Sequence, residues 1–186
     1  MTALWLAWQV AAAMPLLEQG RFADARPHLE KACAAKETNG CYLLGRTLLA
    51  LDQYEAAKRT LLPLAATDRD PWRVRDALGS VHEALREPAE AESQFRSAMA
   101  ENRDRAPEPR YHLGRFLIRE GRTHDAIGVL TVLAERFPKY EPGRFALGRA
   151  FYSLDRMKEA EAHLAGAPSM DEAKRLLEKI RRLGGK

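Results

Sequence analysis

The sequence of 186 residues lacks any long apolar run. None approaches the roughly 20 continuous apolar residues that a helix needs to cross a bilayer, so we expect no membrane span. Prolines and glycines are also few, at ten and twelve, and they cluster at predicted turns. This composition argues against fibrous and disordered chains. The default expectation is therefore a soluble, cytoplasmic protein.

Motifs for catalysis and metal binding are missing as well. The sequence has no phosphate-cradling glycine loop and no nucleophile elbow, and its histidines are scattered without HxxxH or HxxE spacing. Two cysteines without CxxC pairs do not make a zinc site. We therefore predict that the protein is not an enzyme and takes no metal, cofactor or small-molecule substrate. The histidines are His28, His82, His112, His124 and His163.

The excess of charge of one sign is small. The chain has 30 basic and 26 acidic residues, mixed along its length, and a net charge of +4. A protein that binds nucleic acid by neutralising phosphates usually concentrates its basic residues more than this. Nucleic acid is therefore the less favoured partner.

What the sequence does contain is a repeat with a period of 34 or 35 residues. A Leu-Gly pair recurs at this spacing, and an alanine follows each glycine after twelve residues, with a large apolar residue four positions later. A period of this length is typical of stacked helical units. The glycines are Gly45, Gly79, Gly114 and Gly148, the alanines are Ala57, Ala91, Ala126 and Ala160, and the large residues are Leu61, Phe95, Leu130 and Leu164.

These markers resemble those of the tetratricopeptide repeat. The resemblance implies an all-α fold, a right-handed superhelix of antiparallel helix pairs (an α-solenoid), in which the first helix of each pair lines a concave groove that typically holds a segment of another protein. The repeat array would cover residues 1–168, with repeats at about 1–35, 39–68, 72–101, 110–137 and 141–167. The first repeat is degenerate because Ala12-Ala13 replaces Leu-Gly.

Residues 169–186 differ from the repeats. Ser169 and Glu172 have the spacing of a capping box, and an apolar stripe follows, surrounded by basic residues. A single helix with a polar outer face is what covers the last apolar surface of a repeat array. We predict a capping helix here.

Two alternatives stay open near the N-terminus. Residues 1–13 could be the first helix or a secretory signal, although they contain no Lys or Arg and Gln9 interrupts the apolar stretch. Cys33 and Cys41 flank a predicted loop and could be two buried thiols or a disulfide. An exported, periplasmic protein is the alternative localisation, and it would favour the disulfide.

The groove is predicted on the stripe of each first helix opposite its Leu-Gly pair. In three repeats this stripe carries an aromatic residue followed four positions later by arginine, which suits an acidic or carboxylate-bearing segment. The alternative is that each arginine stacks on its own aromatic ring or pairs with an acidic residue of a neighbouring repeat, in a groove that binds no ligand. The predicted groove residues are Asn39, Tyr42, Arg46, Arg73, Asp76, Tyr111, Arg115, Arg119, Phe145, Arg149 and Tyr152.

The predicted function is therefore that of a non-catalytic scaffold or adaptor that binds a peptide or helical segment of another protein. Two alternatives remain: a helical-repeat protein that binds nucleic acid, and a module for self-assembly. The sequence does not determine the oligomeric state.

Overall fold

The computed structural model describes residues 2–67 and 71–184, and all regular structure within them is α-helical. This confirms the predicted all-α class. Within each of two compact units, short turns connect helices that pack against each other. The helices are α1 (Thr2–Glu18), α2 (Phe22–Ala34), α3 (Thr38–Ala50), α4 (Tyr54–Thr67), α5 (Trp72–Ala84), α6 (Pro88–Asn102), α7 (Glu108–Arg119), α8 (Thr123–Arg136), α9 (Glu141–Ser153), α10 (Met157–Leu164) and α11 (Asp171–Gly184).

The chain divides into two compact units, Met1–Glu101 and Asn102–Lys186, which we call the N-terminal unit and the C-terminal unit. In the N-terminal unit, α1 packs on α2, α2 on α3, α3 on α4 and α4 on α5. In the C-terminal unit, α7 packs on α8 and α9, α9 on α8 and α10, and α11 on α10. Residue 68, the predicted end of the second repeat, lies outside the described residues.

The repeated glycines mark the point where the two helices of a pair approach most closely. A Cβ atom added to Gly45 would lie 2.4 Å from Cγ of Leu61, and one added to Gly114 would lie 2.5 Å from Cδ2 of Leu130. Gly79 and Gly148 meet the equivalent large residues of their own pairs in the same way. The four alanines of the repeat are completely buried. The sequence markers are thus contacts of the core.

The turn inside each pair also repeats. Gly20, Asp52, Arg86, Gly121 and Asp155 follow the first helix of their pairs, and all have φ between 58° and 75°. A left-handed residue after a helix lets the next backbone N–H groups bond to the last free carbonyls. In the second pair, for example, the N–H of Gln53 donates to the carbonyl of Leu48 at 2.9 Å. The chain can therefore reverse direction within a few residues.

A disulfide bond joins Cys33 in α2 to Cys41 in α3, with their Cα atoms 4.4 Å apart. The helices approach closely here, because a Cβ atom added to Gly40 would lie 2.6 Å from Cβ of Ala32. Of the two alternatives left open by the sequence, the structure has the paired form and not two free thiols. The bond ties the second helix of one pair to the first helix of the next.

Residues 2–18 form α1, whose Ala13 is completely buried together with Ala25 of α2. Gln9, which interrupts the apolar stretch of the sequence, is 2% exposed, and its Oε1 accepts a hydrogen bond from Nδ1 of His28 at 2.9 Å. The polar residue is therefore satisfied inside the pair. Met1 lies outside the described residues.

A polar cluster that the sequence did not reveal joins α4 to the turn before α6. The carboxylate of Glu87 accepts hydrogen bonds from Nζ of Lys58 at 2.8 and 3.0 Å and from Nδ1 of His82 at 2.5 Å. The bonds from Lys58 and His82 lower the pKa of Glu87, and the bond to Glu87 raises the pKa of Lys58. The cluster links two neighbouring pairs of the N-terminal unit.

The capping box predicted at Ser169 is wrong. Both the backbone N–H and the hydroxyl of Ser169 donate to Oε2 of Glu141, at 2.8 and 2.5 Å, and α11 begins at Asp171. Since α11 begins at Asp171, the residue at the N-cap position is Met170, and Ser169 is instead bound to the carboxylate of Glu141 at the start of α9. Ala173 and Ile180 of α11 are buried, so the helix is held by its apolar stripe.

Candidate functional site

The first helices of two successive pairs, α7 and α9, enclose a cavity of about 190 Å³ in the C-terminal unit, which we call the α7–α9 cavity. Five of its lining residues belong to the predicted groove set: Tyr111, Arg115, Arg119, Phe145 and Arg149. Ile118 and Ala146 complete the wall. The structure therefore brings together nearly half of the predicted groove residues at one place.

Helical spacing explains why these side chains share one face. Residues 111, 115 and 118 of α7 are four and three positions apart, and 145 and 149 of α9 are four apart, so in each helix they lie along one side. The opposite side of α7 carries Leu113 and Leu117, which are completely buried in the pair. Packing of that apolar side leaves the aromatic and basic side to form the cavity wall.

Each arginine of the predicted pairs lies over its own aromatic ring. In the α7–α9 cavity, Cζ of Arg115 is 5.5 Å from the ring centroid of Tyr111, and Cζ of Arg149 is 5.6 Å from that of Phe145. These distances are within the range of cation–π attraction. The stacking that we considered as an alternative to ligand binding is therefore present. It covers one face of the guanidinium, whereas the N–H donors lie in the guanidinium plane.

The residues that line the α7–α9 cavity carry positive charge and no negative charge, because they include three arginines but no Asp or Glu. Among the described residues, Arg115 and Arg149 form no ion pair, and both side chains are exposed. Arg119, in contrast, already has an interaction partner. Since guanidinium groups stay charged at all physiological pH values, the cavity keeps a positive charge. The C-terminal unit as a whole has 18 basic and 12 acidic residues.

The aromatic residues differ in exposure. Phe145 is only 8% exposed, so it forms the floor of the cavity and not an open surface. Tyr111 is half-buried, and its ring meets that of Tyr140 edge to face at a centroid distance of 5.6 Å. Both rings are therefore fixed by packing, and with them the arginines that lie on top.

An arginine stacked on the aromatic residue four positions earlier is also found on α3 of the N-terminal unit. Cζ of Arg46 lies 5.8 Å from the ring centroid of Tyr42, with the arginine exposed and the ring half-buried. Asn39, one turn earlier, is exposed, and its backbone N–H donates to Oε1 of Glu37 at 3.2 Å. This pair lies on α3.

The third repeat lacks the aromatic–arginine pair in its sequence, and the structure shows which ring its arginine contacts instead. Arg73 is exposed and lies over the ring of its direct neighbour Trp72, at 5.5 Å, and Trp72 itself is 8% exposed. Asp76 is half-buried, and its backbone carbonyl accepts a hydrogen bond from the hydroxyl of Ser80. The aromatic anchor of this repeat is thus a buried core residue.

Tyr152, the last predicted groove residue, does not line the α7–α9 cavity. Its ring is half-buried, and Nζ of Lys179 from α11 lies 5.5 Å from the ring centroid. This contact has no local signal in the sequence, because 27 residues separate the two positions.

Two further features of the molecule bear on function. None of the described helices is long and apolar enough to cross a membrane. Within residues 2–67 and 71–184, no three side chains of His, Cys, Asp or Glu are arranged to hold a metal ion.

Comparison with known families identifies the repeat. One family model, described as tetratricopeptide repeat, matches residues 16–80 and again 117–180, and a second model of the same description matches residues 77–141. The chain belongs to the tetratricopeptide repeat family. This confirms the resemblance seen in the Leu-Gly and Ala markers.

Several solved structures, two of them described as tetratricopeptide repeat proteins, share this fold. The thermophilic protein TTC0263 of Thermus thermophilus has a TM-score of 0.79 at 20% identity, over 94% of this chain and 98% of that one. MamA gives 0.67 at 19%, over 94% and 96%. YrrB, described as a tetratricopeptide repeat protein with an unusual peptide-binding site, gives 0.64 at 18%, over 94% and 90%. No curated protein matches the chain in sequence.

Proposed function

We propose that this tetratricopeptide repeat protein is a non-catalytic scaffold that holds an acidic segment of another protein in the α7–α9 cavity. Proteins built from these repeats act in protein–protein interaction, and one solved structure with this fold is described as having a peptide-binding site. The observation that carries the proposal is the pair of exposed arginines, Arg115 and Arg149, that are stacked on rings and form no ion pair among the described residues.

The size of the α7–α9 cavity supports a carboxylate as the group that enters. At about 190 Å³, it is smaller than the roughly 300–1,000 Å³ of pockets that hold small molecules and cofactors. It has room for one side chain or one chain end of a longer segment. A guanidinium presents a planar fork of donors that matches a carboxylate, and the aromatic rings hold that fork in place before the ligand arrives.

The geometry favours a peptide over a single-stranded nucleic acid. Proteins that bind single strands stack bases on open aromatic faces, whereas here Arg115 and Arg149 each lie over one face of Tyr111 and Phe145. Phe145 is also buried. The cavity therefore offers hydrogen-bond donors and positive charge more than it offers open rings for stacking a base.

Fluorescence anisotropy with a labelled hexaglutamate amide tests the proposal. We expect the double variant Arg115→Ala, Arg149→Ala to bind this peptide about tenfold more weakly than the wild type, because each exposed arginine contributes up to about 1 kcal/mol. The matched control is Arg122→Ala, Arg136→Ala. It removes the same charge from α8 and its N-terminal turn, outside the cavity, and is expected to bind almost as the wild type does.

Further peptides separate the two sources of a carboxylate. Hexaglycine with a free carboxyl terminus tests a chain end, and hexaglutamate amide tests side chains. Equal loss of binding in both double variants would reduce the interaction to general charge and would contradict a site at the α7–α9 cavity. Tighter binding of a single-stranded oligonucleotide, with a steep salt dependence, would replace the proposal by the nucleic-acid alternative.

A further inference from the structure

The C-terminal helix brings a basic side chain to the face of α9 that borders the α7–α9 cavity. Phe145, Arg149 and Tyr152 lie at positions i, i+4 and i+7 of α9, which places them along one side of the helix. Nζ of Lys179 from α11 lies 5.5 Å from the ring centroid of Tyr152. A ligand that extends from Arg149 towards the end of α9 therefore meets the ammonium group of Lys179 above the tyrosine ring.

The position of Lys179 is fixed by the packing of α11. Ile180, the next residue, is 5% exposed, and Ala173 is completely buried, so the helix is anchored on both sides of the lysine stem. The lysine itself is exposed. Its ammonium group lies near the ring of Tyr152, just as Arg115 and Arg149 lie over aromatic rings. The difference is that Lys179 and Tyr152 belong to two different helices.

Three other basic residues of α11 have acidic partners, Lys174, Arg181 and Arg182, whereas Arg175 is exposed and contacts no aromatic ring among the described residues. Nζ of Lys174 lies 3.0 Å from Asp171, and Nε of Arg181 lies 3.1 Å from Glu161. Lys179 has no ion pair among the described residues. It is thus a cation held in place next to the cavity and available to a ligand.

We infer that Lys179 is a second contact for the ligand, and that the partner segment carries two acidic residues at positions i and i+2. This inference rests on the proposed function. In an extended segment, residues i and i+2 point to the same side and are about 7 Å apart. Arg149 and Tyr152 are separated by about 4.5 Å along the axis of α9, and Nζ of Lys179 lies a further 5.5 Å from the centroid of the Tyr152 ring. One carboxylate enters the α7–α9 cavity while the other meets Lys179.

Two labelled peptide amides with acetylated N-termini test the inference. The first has the sequence Gly-Gly-Glu-Gly-Glu-Gly-Gly, and in the second the later glutamate is glutamine. We expect Lys179→Ala to weaken binding of the first peptide about three- to fivefold, as for an exposed ion pair, and to leave the second unchanged. Lys174→Ala is the control, because it removes the same charge from the same helix at a residue that is paired with Asp171.

The outcomes distinguish this inference from the proposed function. Equal effects of Lys179→Ala and Lys174→Ala on the first peptide would overturn the inference, and the proposed function would stand if Arg115→Ala, Arg149→Ala still weakened binding about tenfold. If neither peptide binds to the wild type, both are overturned. Lys179→Arg is expected to restore the preference for the two-acid peptide, which separates a charge contact from a loss of helix packing.

Discussion

Reduction of the disulfide between Cys33 and Cys41 has an effect on stability that can be worked out from the fold. The two cysteines are eight positions apart, so the bond closes a loop of nine residues that contains the turn from α2 to α3. Opening such a loop returns conformational entropy to the unfolded chain and costs about 2.6 kcal/mol of stability at 25 °C. We expect a reductant to lower the free energy of unfolding by about this amount.

Thermal unfolding followed by circular dichroism measures the effect. For a chain of this size, about 1 kcal/mol shifts the melting temperature by about 2–4 °C, so the reductant is expected to lower it by roughly 5–10 °C. The variant Cys33→Ala, Cys41→Ala is the control. It should melt near the temperature of the reduced wild type and should not respond to reductant.

A melting temperature that is the same with and without reductant would refute this reasoning, as would free thiols found by alkylation of the purified protein under denaturing conditions. Disulfides persist in oxidising compartments and are rare in the reducing cytosol. A bond found already formed when the thiols are alkylated during lysis of the native cells would therefore support the exported alternative over the cytoplasmic default.

Two further predictions concern the core and the pH dependence of stability. Gly114→Ala should destabilise the protein by about 1–3 kcal/mol, because the new Cβ would overlap Leu130. Gly128→Ala should stabilise it by about 0.5–1 kcal/mol, because the space around Gly128 is open and alanine favours a helix more than glycine does. Urea unfolding measures both changes in the free energy of unfolding. Burial against Phe151 lowers the pKa of His163 in the folded protein. The unfolded chain therefore binds the proton more readily than the folded protein does. Stability should fall as the pH drops below the ordinary histidine pKa of about 6.5. His163→Gln should flatten this fall in melting curves between pH 7.5 and 5.5, and an unchanged slope would contradict the assignment.

The fold could be predicted from the sequence because the residues that recur in each repeat are those at the closest contact between its two helices. Gly45 and Leu61, and their equivalents in three later pairs, are the residues where two helices touch, so any exchange there is costly and the period is visible. The bond between Ser169 and Glu141 could not be predicted, because it joins positions that are 28 residues apart. A local capping rule considers only the nearest residues.

The candidate site could be predicted in part for the same reason. The spacing of Tyr111 and Arg115, and of Phe145 and Arg149, follows from helical geometry alone, and the structure places both pairs at the α7–α9 cavity. The burial of Phe145 and the contact between Lys179 and Tyr152 depend on how separate helices pack. Periodicity within one helix contains no information on that packing.

The most direct test of the proposed site is a double-mutant cycle between the peptide and the protein. Hexaglutamate amide and hexaglutamine amide are titrated against the wild type and against Arg115→Ala, Arg149→Ala. If carboxylates bind at the α7–α9 cavity, the exchange of Glu for Gln weakens binding at least about fivefold in the wild type and has almost no effect in the variant, which corresponds to a coupling of about 1 kcal/mol. If the exchange weakens binding by the same factor in both proteins, the two arginines do not recognise the acidic groups, and the site proposed here is wrong.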